Sequence, residues 1–113
     1  MRTLYSDYTV EQLREELGKL QEERQKAEQM GEVNKVAILE RKMQIVASYM
    51  LNPDDIEPGA TYTLNGDPGF RFKVHDVHGI MAWGHRINLL NEVHEEEEAL
   101  PISLLEEKVN EDN

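Results

Sequence analysis

The chain has 113 residues, 39% of them hydrophobic and 31% charged, with 12 Lys and Arg against 23 Asp and Glu and no cysteine. A chain this short buries roughly 60–70% of its unfolded surface, too little for a large enzyme architecture, and without Cys there is no disulfide framework, thiolate metal site or cysteine nucleophile. The net charge of −11 sets the mean field against phosphate backbones and anionic lipid, and no apolar run exceeds four residues, so the expectation is a cytoplasmic protein without a membrane segment.

From Thr9 to Met30 the apolar residues fall at Val10, Leu13, Leu17, Leu20, Ala27 and Met30, with Arg24 in the skipped step; this spacing predicts a helix. Thr9 and Gln12 are spaced as a capping box, and Gly31 is placed to end the helix in a left-handed conformation. Tyr5 and Tyr8 read as packing at the helix entrance. A second stripe, Val36, Leu39, Met43, Val46 and Met50, predicts a second helix that Asn52-Pro53 stops. So short a turn folds the two helices into an antiparallel hairpin over residues 1–52. Ile38, Ile45 and Tyr49 lie on another side of the second helix. They need cover from the C-terminal half or from a second hairpin, which keeps a homo-oligomer through the hairpin open.

Residues 53–59 read as a stiff polar linker, after which the hydrophobic period changes from 3.6 to 2. Ala60 to Leu64 alternates, and Asn65-Gly66-Asp67-Pro68-Gly69 is turn chemistry. Phe70, Phe72 and Val74 face one way while Arg71, Lys73 and His75 face the other. Ile80 to Ile87 is a further strand, with Met81, Trp83, His85 and Ile87 opposite Ile80, Ala82, Gly84 and Arg86. Ala99 to Ile102 is short and extended. Few short strands at this spacing suggest a small curled antiparallel barrel over residues 60–105, followed by an acidic tail at 106–113. The fold class is α+β. Charge is uneven: residues 59–91 carry +1 and residues 92–113 carry −8, the latter including Glu95-Glu96-Glu97-Glu98. That acidic stretch reads as solvated and as a screen over a basic face.

Several motifs together carry a likeness: Lys26-Ala27-Glu28-Gln29, Leu39-Glu40-Arg41-Lys42, Leu51-Asn52-Pro53, Pro58-Gly59, Ala82-Trp83-Gly84-His85-Arg86 and Glu97-Glu98-Ala99-Leu100-Pro101-Ile102. On these the chain resembles the YfhH-like family, small uncharacterised proteins of Bacillus-type bacteria. The resemblance implies an N-terminal helical hairpin and an SH3-like C-terminal barrel. It brings no activity and no functional residues.

His75 and His78, with Asp76 between them and His85 on the next strand, are the candidates for a metal, since imidazoles are common ligands. A spacing of three puts His75 and His78 on opposite faces of a regular strand, so the expectation is no metal site and no cofactor. Ser6, Ser48 and Ser103 have no recognisable base or nucleophile elbow, the acids read as solvated, and no glycine-rich phosphate loop is present, so no catalytic residue is assigned and the chain is read as non-enzymatic. Trp83, the sole tryptophan, is read first as core or barrel seam and second as a surface anchor. Gly84 beside it leaves room for a close approach. Arg71, Lys73, Trp83 and Arg86 form the candidate binding surface. The leading expectation is a protein-interaction or regulatory module with an unidentified protein partner. The alternative is a nucleic-acid-associated regulator that uses the same basic and aromatic residues.

Overall fold

Residues 4–109 are described by a computed structural model, and the chain divides after Leu51 into two units, each with its own core. The first unit holds a 3-10 turn at Tyr5–Asp7, helix α1 at Val10–Gln29 and helix α2 at Val33–Ser48. The Thr9 side chain accepts from the Gln12 amide while the Gln12 side chain accepts from the Thr9 amide, so the expected capping box forms. At the other end the Glu32 amide donates to the Ala27 carbonyl and the Gly31 amide to the Glu28 carbonyl, with Gly31 at φ +70°. This is a Schellman ending, in which the left-handed residue is one that carries no Cβ.

The helical core is the predicted stripe, Leu13, Leu20, Ala27, Leu39 and Val46 buried, with Leu17, Val36, Met43 and Met50 packed around it. Tyr49 is covered from within the same unit, because Tyr5 and Tyr8 pack edge to face and the Tyr5 ring lies 6.2 Å from that of Tyr49. Burial, then the charges of Glu16 and Tyr8, raise the Tyr5 phenol above its ordinary value. Ile38 stays exposed. Helix α2 stops earlier than its apolar stripe: the Ser48 hydroxyl donates to the Gln44 carbonyl, and the Tyr49 amide is shared between the Ile45 and Val46 carbonyls, which tightens the last turn.

The second unit is one antiparallel sheet of five strands: β1 Thr61–Leu64, β2 Phe70–His78, β3 Met81–Asn88, β4 Glu98–Pro101 and β5 Leu105–Lys108, in the order β4-β3-β2-β1-β5. The expected small barrel is corrected to an open sheet, since among the described residues β4 pairs only with β3 and β5 only with β1. The sheet is nonetheless curled. Four strand spacings separate the edges of a flat sheet by about 19 Å, yet β4 and β5 are joined through the 3-10 turn Ile102–Leu104, which spans at most about 14 Å. Fully buried Ile102 fills the inside of that curl with Phe72, Val74, Ala82, Leu100 and Leu105.

Two boundaries move. The segment 53–59 is built into the second unit: Ile56 packs on the sheet core, the Gly59 amide donates to the Val74 carbonyl, the Glu57 amide donates to the Tyr62 hydroxyl, and Glu57 pairs with Lys108. Glu106 and Glu107, assigned from sequence to the tail, lie in β5, where an exposed edge tolerates charge and buried Leu105 anchors the strand. The rest of that tail, 110–113, lies outside the described residues. Among the described residues no helix is long and apolar enough to cross a membrane.

Candidate functional site

The solvent face of β2 and β3 is shaped by one irregularity. Their register is regular from Phe70↔Asn88 to Val74↔Gly84, then shifts so that Asp76 faces Trp83 and Val77 faces Ala82. The extra residue, His75, is a β-bulge. Its consequence is a change of parity: Val74 and Val77 both point into the core, while His75, Asp76 and His78 are all exposed. The expectation that His75 and His78 occupy opposite faces holds only for an unbroken strand and is corrected by the bulge. Buried Gly84 belongs to the same device, because a Cβ there would stand 1.9 Å from the Lys73 carbonyl oxygen.

The bulge sets Asp76 beside Trp83, which alternation along β3 between buried Ala82 and Gly84 puts on the outer face, 38% exposed, so the core reading of the sole tryptophan is corrected. Lys73 is exposed on that face opposite His85, and Arg71, half-buried, stands opposite Ile87. Arg86 does not join them. It pairs with buried Phe72, so its side chain starts from the inner parity, and its guanidinium reaches the sheet margin between two carboxylates. Nε lies 2.8 Å from Glu98 Oε2, one terminal nitrogen lies 2.6 Å from Asp67 Oδ2, and the Phe70 ring sits beneath at 5.8 Å. The candidate basic surface therefore resolves into Arg71, Lys73 and Trp83 on one face and a neutralised Arg86 elsewhere.

The acidic run is likewise divided. Glu98 clamps Arg86, and Glu97 pairs with His75, Nε2 to Oε2 3.1 Å, so these two are not part of a free screen. His85 stacks on His75 with ring centroids 5.6 Å apart, and its Nδ1 lies 2.9 Å from the His94 carbonyl oxygen. His75, Asp76, His78, Trp83 and Glu97 line an open depression of about 400 Å³. His78 pairs with Asp76 at 2.9 Å.

A second feature escaped the sequence reading. Between β3 and β4 the chain turns tightly at Asn88, whose side-chain oxygen accepts from the Leu90 and Glu92 amides while its amide donates to Glu92. Asn91 takes φ +64°, a conformation Asn tolerates, and the His94 amide returns to the Arg86 carbonyl. This braced loop holds Leu89 and Leu90 62% and 79% exposed, with Val93 beside them. The signal was present as Asn88 and Asn91 flanking a Leu-Leu pair, which is turn chemistry around residues that prefer burial.

With the geometry in hand, likeness to known proteins places the chain. A model of the family described as "Protein of unknown function (DUF1811)" matches residues 3–106. The chain belongs to this family. It is also 41% identical over 108 residues to the "Uncharacterized protein YfhH" of Bacillus subtilis (strain 168), covering 96% of this chain and 99% of that relative. The resemblance read from the motifs is therefore correct. Neither the DUF1811 description nor the relative assigns an activity, so the roles of Trp83, the histidine cluster and the Leu89-Leu90 loop rest on physical argument.

Proposed function

We propose that the chain is a non-enzymatic protein-interaction module whose recognition element is the loop between β3 and β4. The observation that carries this reading is the pair Leu89 and Leu90, exposed on a loop whose backbone is braced by Asn88. Exposed leucines on a loose loop collapse or move aside, whereas on a braced loop they are pre-organised for an apolar pocket. The exposed acids Glu92, Glu95 and Glu96 border Val93, so the complementary partner is a protein with an apolar pocket and a basic rim. The curled sheet joined edge to edge by a 3-10 turn supports an SH3-like reading of the scaffold, a kind of fold whose functions are set by what its surface displays.

The alternative, a nucleic-acid ligand, is favoured by Arg71, Lys73 and Trp83 sharing one face. It is weakened by the loss of Arg86 to Asp67 and Glu98 and by the net charge of −11. Titration of the full chain with a single-stranded oligonucleotide, read by Trp83 fluorescence at low and physiological salt, tests the choice. The protein-partner reading expects no change. Saturable quenching that fades steeply with salt contradicts it.

A further inference from the structure

We infer that His75, His85 and Glu97 form a binding site for a divalent transition ion of the zinc class on the solvent face of the sheet. Each offers one ligand atom, and these atoms all lie within 4.8 Å of one another. Ligand atoms 2.0–2.1 Å from a tetrahedral ion stand about 3.3 Å apart. The His75 Nε2 to Glu97 Oε2 separation of 3.1 Å already matches that edge, and the widest pair needs to close by at most about 1.5 Å, within reach of small rotations of the exposed His75 and Glu97 side chains.

The tautomer of His85 is set by its surroundings. A carbonyl oxygen can only accept, so the 2.9 Å contact with the His94 carbonyl puts the ring proton on Nδ1. The lone pair of the neutral ring is then on Nε2. A backbone carbonyl holding the far side of the ring is the usual outer support of a metal-binding histidine. His75 and Glu97 come from the bulge of β2 and from the residue before β4, so three separate chain segments converge. Two imidazoles and one carboxylate favour zinc, nickel or copper over calcium and magnesium, which prefer all-oxygen shells. His75 and Glu97 line the open depression, and a set of three protein ligands leaves a fourth position for water. Trp83 lines the same depression and reports on it.

The test uses untagged full-length protein. Zinc chloride is added in a calorimeter, and in parallel nickel chloride is added while Trp83 fluorescence is followed. The expected result is one ion per chain at micromolar zinc and nickel quenching that saturates at the same ratio. His75→Gln and Glu97→Gln are expected to weaken binding about tenfold or more, while Glu106→Gln, an exposed carboxylate on β5 outside the cluster and its depression, is expected to bind as wild type. Both ligand changes are at exposed positions, and metal-free melting curves verify that the variants are folded. No zinc heat at micromolar concentration, or wild-type affinity in the His75 and Glu97 variants, overturns the inference.

Discussion

Asp76 faces Trp83 across β2 and β3, one residue out of the register that Val74 and Gly84 set. Alternation along β3, with Ala82 and Gly84 buried on either side, turns the sole tryptophan to solvent, and the offset sets Asp76 beside it. Trp83→Ala is therefore expected to cost about 1 kcal/mol, well below the roughly 3–5 kcal/mol of a core tryptophan. Chemical denaturation of the two proteins measures the difference, and a loss in the core range would contradict the outward placement.

Gly84 is the position at which the same offset is least forgiving. A Cβ would collide with the backbone oxygen of Lys73, which no rotamer change can relieve. Gly84→Ala is expected to cost more than about 3 kcal/mol or to prevent folding of the sheet. A thermal melt settles the point, since a change below 1 kcal/mol would mean that the two strands approach less closely than described.

Arg86 is three-quarters buried and held by Glu98, Asp67 and the Phe70 face. Lys lacks the planar fork that spans two carboxylates, so Arg86→Lys is expected to lower stability by about 1–2 kcal/mol despite the conserved charge. If denaturation shows Arg86→Lys equal to wild type, the clamp contributes only charge.

The loop brace gives a local prediction. Asn88→Ala removes the acceptor for the Leu90 and Glu92 amides, so those two amides are expected to exchange with solvent faster while the β2–β3 ladder stays protected. Unchanged exchange would show that the loop is held by other means.

The sequence was most legible where chemistry is local. Thr9 with Gln12 and the glycine at 31 bounded the first helix because capping depends on residues within a few positions of each other. Tyr5 and Tyr8 were placed correctly for the same reason, although their cover of Tyr49 was not foreseen. The sheet was legible as alternating strands, but its edges were not, because pairing β5 to β1 is a long-range choice that the pattern of Leu104 and Leu105 does not encode. The candidate site suffered most at His75. A bulge adds one residue and reverses every face of its strand beyond it, so strict alternation misplaced His78, while on the regular strand β3 alternation grouped Trp83 with His85 without telling which face is solvent. Arg86 looked basic in sequence, since its partners Asp67 and Glu98 are distant along the chain.

Recognition through the Leu89-Leu90 loop is open to affinity capture from native lysate, with and without nuclease, using the full-length protein and a Leu89→Asp/Leu90→Asp variant of equal melting temperature as baits. The expected result is a protein that the wild type retains after nuclease treatment and that the double variant loses. Identical captures by both baits, or enrichment of nucleic acid with co-purifying proteins lost after nuclease, would contradict it.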